Sequence, residues 1–245
     1  MSRVSVLLLS ALLPLACHAD EVQVAVAANF AAPMKELAAG FERASGHKVL
    51  ATVGATGKFY AQITNGAPFE ILLAADDDTP ARLEKEGAGV PATRFTYAIG
   101  KLVLWSAQPG VADAQALKAG KFTHLAIASP KVAPYGAAAV EALDKLGLLA
   151  AVSPKFVQGE NIAQTYQFIA SGNAQLGFVA MSQVFENGRL RSGSAWVVPA
   201  SLYSPIRQDA IVLAKGKGKP AVAALMAYLK TEPARALIRA HGYDL

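Results

Sequence analysis

The stretch "VQVAVAANFAAPMKELAAGFERASG" (residues 22–46) changes its pattern of apolar residues partway along. Its first part, "VQVAVAA" (22–28), is a short apolar run typical of a buried strand. The second part is predicted to form a helix that ends at Gly46, because its apolar residues recur along one helical stripe: Phe30, Met34, Leu37, Ala38 and Phe41. A strand followed directly by a helix is the building unit of α/β folds.

The same alternation continues along the chain. Strands are predicted at 48–53, 69–75, 102–107, 124–129, 155–159, 176–180, 195–200 and 209–214. Helices are predicted from near Gly57 to Asn65 and at 136–146, 161–171, 219–230 and 233–240. Strands that alternate with helices imply right-handed crossovers, so we expect an α/β fold with a mostly parallel sheet.

Composition narrows the class of protein. The chain has 245 residues, of which 53% are hydrophobic and 17% charged, and this balance is typical of a globular protein. That length allows one large domain or two small ones. The net charge is +5, but lysines and arginines are scattered singly, so we expect a solvated basic surface and no nucleic-acid partner.

The first residues, "MSRVSVLLLSALLPLACHAD", predict a secretory signal peptide over residues 1–19. Arg3 precedes an apolar run that is too short to span a bilayer permanently, and small residues follow it. Cys17 suggests the alternative of a lipid-modified N-terminus, but Pro14 stands where an aliphatic residue is expected, so soluble export is favoured. Cleavage after Ala19 would remove the only cysteine and exclude disulfide and thiol chemistry.

The segment "GATGK" (54–58) shares glycine and lysine with nucleotide-binding P-loops. The full motif needs a glycine five places before Gly57 and a hydroxyl-bearing residue after Lys58. Thr52 and Phe59 occupy those places, so the spacing and the chemistry exclude a P-loop. A helix N-terminus directed at an anion is still compatible with the pattern.

Four joints between a strand and the following helix share polar, uncharged chemistry. In open α/β sheets the ligand lies at the carboxyl ends of strands, where the first N–H groups of each helix have no partner within the helix. Any one of these polar residues alone is more often a helix cap than a ligand, but the four together suit a small anion held by dipoles. The joints contain Asn29, Thr56, Tyr135 with Gly136, and Asn161 with Ile162; Glu160 is the nearest acidic residue.

Other clusters are weaker candidates. Asp76, Asp77 and Asp78 stand in a row, but they precede a helix start, and a metal cage needs ligands from several segments. The histidines at 47, 124 and 241 lack paired spacing, and no serine lies in a nucleophile-elbow pattern. We therefore predict no catalytic residues, no cation site and no cofactor.

Four segments resemble the periplasmic molybdate-binding proteins of bacterial ABC transporters, in order and over essentially the whole mature chain. They are "VAVAANFAAPMKEL", "GATGKFYAQITNGAPFEILLAADD", "APYGAAAVEALDKLG" and "GENIAQTYQFIASGNAQLGFVAMSQV". The resemblance implies a type II periplasmic-binding-protein fold, in which two α/β lobes close over one tetrahedral oxyanion. It places lobe 1 at 20–99 and 206–245 and lobe 2 at 100–205, and it implies a periplasmic monomer that serves an ABC permease.

The resemblance also implies the ligand contacts. The family's first two ligand positions fall on Asn29 and Thr56, and two backbone N–H contacts fall on Tyr135 and Ile162, while Ala28 offers only its backbone N–H. Many members place an anion-contacting tyrosine where this chain has Ala180. Members with asparagine at the first position have tyrosine at the third, so we interpret the phenol as relocated to Tyr135.

The resemblance predicts capture of molybdate, and of tungstate, without a paired cation. One alternative is a binding protein for another tetrahedral oxyanion such as sulfate. The other is an enzyme that acts on a phosphorylated small molecule through Lys58 or the cluster at Asp76; the absence of a paired acid and base near the helix starts argues against it.

Overall fold

A computed structural model describes residues 20–245, so the predicted signal peptide lies outside the described residues. The strands of the described chain are β1 (Glu21–Ala27), β2 (Lys48–Gly54), β3 (Ile71–Leu73), β4 (Phe95–Gly100), β5 (Leu102–Ser106), β6 (Leu125–Ala128), β7 (Phe156–Gly159), β8 (Leu176–Ala180), β9 (Phe185–Glu186), β10 (Arg189–Leu190), β11 (Ser194–Val197) and β12 (Ile206–Val212). Its helices are α1 (Ala31–Ser45), α2 (Thr56–Thr64), α3 (Asp78–Lys85), α4 (Ala114–Ala119), α5 (Pro134–Lys145), α6 (Leu149–Val152), α7 (Ile162–Ala170), α8 (Met181–Val184), α9 (Pro220–Tyr228) and α10 (Glu232–Ala240).

The strands form two five-stranded sheets, each at the centre of one lobe. The sheet of lobe 1 has the order β2-β1-β3-β12-β4, and that of lobe 2 has the order β11-β5-β8-β6-β7. The chain therefore passes from lobe 1 to lobe 2 between β4 and β5, and it returns between β11 and β12. Helices pack against both sheets, which confirms the predicted α/β class with two lobes.

The prediction of mostly parallel sheets is wrong, because the two sheets are mixed. The parallel pairs are β1–β2, β1–β3, β6–β7 and β6–β8, and the antiparallel pairs are β3–β12, β4–β12, β5–β8 and β5–β11. Helical crossovers impose parallel pairing on the strands that they connect. The strands β4, β5 and β12 adjoin the passages between the lobes, so this constraint does not apply to them.

The opening segment folds as its pattern predicts. Helix α1 ends at Gly46, whose φ of 76° is the left-handed conformation that glycine adopts without strain. The predicted stripe faces the core: Phe30, Met34, Leu37 and Phe41 are at most 1% exposed. Full burial of such a side chain contributes roughly 1.5–3 kcal/mol, so this stripe fixes α1 on the sheet of lobe 1.

Four strand ends position the candidate site. Strand β1 leads into a 3₁₀ turn, Ala28–Phe30, and then into α1, while β2 leads into α2. In lobe 2, β6 is followed by α5 and β7 by α7. The starts of these helical segments face one another across the gap between the lobes. Within residues 20–245 no helix has the length and apolar character needed to cross a membrane.

Candidate functional site

A small cavity lies between the two lobes, beside a larger and more open cleft that contains Asp76, and all five predicted ligand residues line the small cavity. The cavity is small, with a volume of about 10 Å³. A space of this size suits a small ion better than a metabolite. Its lining residues are uncharged: Ala27, Ala28, Asn29, Gly54, Ala55, Thr56, Ala75, Ala133, Pro134, Tyr135, Asn161 and Ile162.

Thr56 opens α2 and is 1% exposed. Its hydroxyl oxygen accepts a hydrogen bond from the backbone N–H of Ala75 at 2.9 Å. Within the described residues this hydroxyl donates to no acceptor, so its own hydrogen is available to the cavity. Thr56 does not cap the helix through its side chain, because Ala55 occupies the capping position.

Asn29 lies in the 3₁₀ turn and is 2% exposed. Its side chain caps no helix; the amide donates to Gln208 Oε1 at 2.7 Å and to the Tyr243 hydroxyl at 3.0 Å. Both amide hydrogens are therefore engaged inside the protein. In this arrangement Asn29 offers the cavity its backbone N–H, as its neighbour Ala28 does, because the first N–H groups of a helical segment have no partner within it.

Tyr135 and Gly136 place the start of α5 against the cavity. Pro134 occupies the first helical position and Tyr135 the second, so the Tyr135 N–H lies in the turn whose donors are free. A Cβ atom at Gly136 would overlap the carbonyl oxygen of Ala128 at the end of β6. The glycine therefore allows the helix start to approach the strand end closely.

The start of α7 shows how one donor is kept for the cavity. The Asn161 side chain caps this helix, because its oxygen accepts from the N–H groups of Ala163 and Gln164 at 2.9 and 3.0 Å. The N–H of Ile162, the first helical residue, donates no hydrogen bond to the Asn161 side chain. Ile162 is 3% exposed and lines the cavity, so its N–H is the donor that α7 presents there.

The Tyr135 phenol extends away from its own lobe. Its hydroxyl accepts a hydrogen bond from Gln208 Nε2, in strand β12 of lobe 1, at 3.1 Å. Burial raises the pKa of Tyr135 well above the usual value, and burial raises the pKa of Tyr243 to about 12. Both phenols therefore stay protonated at neutral pH. Ala180 is fully buried in the core of lobe 2.

Charged residues lie at the rim of the cavity. Lys58 and Glu160 form an ion pair of 2.7 Å across the gap between the lobes. Asp76 accepts from the N–H of Thr79 in the first turn of α3, and burial raises its pKa. No group of three or more potential metal ligands occurs within residues 20–245.

Sequence reasoning missed a buried polar cluster behind the cavity. Gln208, Ser182 and Tyr243 are at most 3% exposed, and each bonds to Asn29 or to one of its partners. One signal in the sequence pointed to Gln208, since "RQD" (207–209) places three polar residues inside strand β12. Ser182 and Tyr243 carry no such signal.

Comparison with known proteins gives the family. The family model of bacterial extracellular solute-binding proteins matches residues 22–244. The chain belongs to this family. Among its relatives, a molybdate-binding protein of Azotobacter vinelandii is 60% identical over 100% of this chain and 98% of its own length. A molybdate-binding protein of Rhodobacter capsulatus is 50% identical over 94% of this chain and 91% of its own.

A solved structure extends the likeness to three dimensions. The periplasmic molybdate-binding protein of Azotobacter vinelandii superposes on this solute-binding protein with a TM-score of 0.88 and 40% identity, covering 91% of this chain and 99% of the other. These findings confirm the resemblance stated from the sequence. They also exclude the enzyme alternative, because the relatives are solute-binding proteins.

Proposed function

We propose that this solute-binding protein captures molybdate in the cavity between its lobes and delivers it to the permease of an ABC transporter. The observation that carries the proposal is the convergence of free donors from both lobes on one small cavity whose lining bears no charge. The molybdate-binding relatives support the choice of ligand. We also propose export to the periplasm, which the family and the predicted signal peptide support.

Both lobes supply proposed contacts, three from lobe 1 and two from lobe 2. Lobe 1 offers the Thr56 hydroxyl and the N–H groups of Ala28 and Asn29, and lobe 2 offers the N–H groups of Tyr135 and Ile162. A hydrogen bond to a charged group contributes roughly 1.5–3 kcal/mol. A few such bonds offset the cost of association, at least about 4 kcal/mol, and reach the ~8 to 12 kcal/mol of micromolar to nanomolar binding.

The donor set favours a bare dianion. Backbone N–H groups cannot accept a hydrogen bond, so a protonated oxyanion would place its hydrogen against donors. Tungstate shares the charge and shape of molybdate, and we include it as a ligand. Sulfate is the rival ligand, since it is also a tetrahedral dianion and differs chiefly in size.

In this proposal, the two lobes close over the bound anion. We assign residues 20–99 and 206–245 to lobe 1 and 100–205 to lobe 2, and the two sheets support this division. Because both lobes contribute donors, the bound anion favours the closed form, and the permease recognises that form. A monomer suffices, because one chain supplies every proposed contact.

Isothermal titration calorimetry of the purified protein with molybdate, tungstate, sulfate and phosphate tests the proposal. We expect saturable binding of molybdate and tungstate with one anion per chain and much weaker binding of sulfate and phosphate. Tighter binding of sulfate than of molybdate would show that sulfate is the ligand of this site. The absence of heat with all four anions would refute the proposal.

A further inference from the structure

Gln208 lies between the two halves of the proposed anion site without lining the cavity. It has no exposed surface, and it belongs to β12, the strand by which the chain returns to lobe 1. Its Oε1 accepts from the amide of Asn29 at 2.7 Å and its Nε2 donates to the hydroxyl of Tyr135 at 3.1 Å. One side chain thus joins a cavity residue of lobe 1 to a cavity residue of lobe 2.

The surrounding backbone is shaped to hold this side chain. The pairing of β12 with β4 shifts register between Gln208 and Asp209, so that Tyr97 is the extra residue on β4. Such bulges redirect side chains. The Tyr97 hydroxyl lies 3.2 Å from Gln208 Oε1 and 2.9 Å from the carbonyl of Ala74, so it gives the glutamine oxygen a second buried partner besides Asn29.

The position of the Tyr135 hydroxyl also requires a glycine at residue 100. A Cβ atom at Gly100 would overlap this hydroxyl and would lie 2.6 Å from Gln208 Nε2. Gly100 is the last residue of β4, where the chain leaves lobe 1. The phenol of a lobe 2 residue therefore occupies a socket, formed by Gly100 and Gln208, at the crossing point between the lobes.

We propose that Gln208 is a positioning residue for the anion site. Held at Gln208, the Tyr135 ring keeps the first turn of α5, and with it the Tyr135 N–H, directed into the cavity. The same glutamine holds Asn29 from behind, so both lobes reach the anion in one fixed arrangement. This inference rests on the proposed function, because it concerns how the same site is assembled.

A double-mutant cycle on molybdate affinity tests the inference. Gln208→Met removes the hydrogen bonds to Asn29, Tyr135 and Tyr97 and keeps a similar length. Tyr135→Phe removes only the hydroxyl and keeps the backbone N–H. We expect each variant to weaken affinity roughly 10-fold, because each breaks a buried hydrogen bond and leaves a partner unpaired. The fold-loss of affinity in the double variant should be only slightly larger than in either single variant. It should be much smaller than the product of the two single fold-losses.

The control is Tyr203→Phe, in lobe 2 next to the return to β12. Tyr203 is a buried tyrosine whose hydroxyl accepts from the N–H of Leu102 at 3.1 Å; it forms no hydrogen bond with Gln208 and does not line the cavity. This variant should bind molybdate as the parent protein does. It shows whether loss of any buried hydroxyl near the crossing point is enough to lower affinity.

Affinity and folding are read separately, by calorimetry with molybdate and by thermal unfolding without it. If Gln208→Met and Tyr135→Phe lower the melting temperature but keep the parent affinity, Gln208 is only structural and the inference is wrong. If the affinity losses of the two single variants multiply in the double variant, Gln208 and Tyr135 act independently and the inference is wrong. Should Gln208→Met not fold, Tyr135→Phe decides alone, since unchanged affinity there overturns the inference. If the parent protein itself binds no molybdate, the proposed function fails instead.

Discussion

The lobes meet at two edges of the cavity, and the two contacts differ in kind. The inner contact, formed by Asn29, Tyr135, Ser182, Gln208 and Tyr243, consists of side chains at most 3% exposed. The outer contact consists of the Lys58–Glu160 ion pair, whose side chains are 47% and 66% exposed, and the bond from Gly57 N–H to the carbonyl of Val132 at 3.0 Å. Water can replace a lost partner only at the outer contact, so equal numbers of hydrogen bonds are expected to matter unequally.

Thr56→Val is expected to have the largest effect on affinity and gives the reference for the two contacts. The Thr56 hydroxyl is the proposed donor in the cavity that lies between them. The change removes the hydroxyl donor at constant shape and leaves the N–H of Ala75 unpaired. We expect molybdate affinity to fall roughly 10- to 100-fold, as for loss of a hydrogen bond to a charged group. Calorimetry measures this. Thr64→Val, on an exposed turn of the same helix, is the matched control, and an equal loss in both variants would contradict the role of Thr56.

Gly57→Ala would test the shape of the outer contact. A Cβ atom there would lie 2.9 Å from the Cα of Val132 across the gap, so the lobes could not close fully. Overpacking costs about 1–3 kcal/mol, and we expect affinity to fall roughly 5- to 100-fold. Stability of the ligand-free protein should not fall, because alanine favours the helix more than glycine. Unchanged affinity would show that closure tolerates a wider gap.

Alkaline pH is expected to weaken the inner contact through its phenols. Burial raises the pKa of Tyr243 from 10.0 to about 12 and raises the pKa of Tyr135 in the same direction. Unfolded tyrosines ionise near pH 10 while the buried ones keep their protons, so stability stays level below pH 10 and falls between pH 10 and about 12. The fall is up to about 1.4 kcal/mol per pH unit for each tyrosine.

Urea denaturation at pH 8, 10 and 11 measures this slope. Tyr243→Phe removes one of the titrating phenols and should make the fall shallower without abolishing it. A slope equal to that of the parent protein would mean that Tyr243 does not titrate with unfolding.

Removal of the outer ion pair should have the smallest effect. Lys58→Ala or Glu160→Ala is expected to change affinity less than about 5-fold, because exposed ion pairs contribute about 0–1 kcal/mol. The difference in affinity should shrink in 1 M salt, where the Debye length falls to roughly 3 Å. Arg82→Ala breaks an exposed ion pair within lobe 1 and serves as the control. A loss that persists in high salt would place the outer charges among the main determinants of closure.

Local patterns predicted the elements better than their pairing. Helix α1 and its buried stripe followed from apolar spacing, and the predicted start of α7 at Asn161 lies one residue from the observed start at Ile162. Strand β4 was missed, because "FTYAIG" mixes polar and apolar residues without a clear alternation. Strand direction was wrong where the chain changes lobes, since no local signal marks that passage.

The sequence predicted the part of the candidate site that is formed by the starts of helices. The sequence places Thr56, Tyr135 and Ile162 at helix starts, and the structure brings these starts to one cavity. The role of the Asn29 side chain was not predictable, because its partners Gln208 and Tyr243 lie 179 and 214 positions away. Contacts over such separations depend on the three-dimensional arrangement of the whole chain and leave no periodic trace.

The bond between the Tyr243 hydroxyl and the carbonyl of Asn29 has a consequence for the order of assembly. A ribosome produces Asn29 early and Tyr243 only 214 residues later, so this edge of the cleft cannot form until residue 243 has been added. The strands β1, β2 and β3 can begin to pair long before that. A nascent chain would therefore hold a partly built lobe 1 before the bond between Tyr243 and Asn29 completes this edge of the cleft.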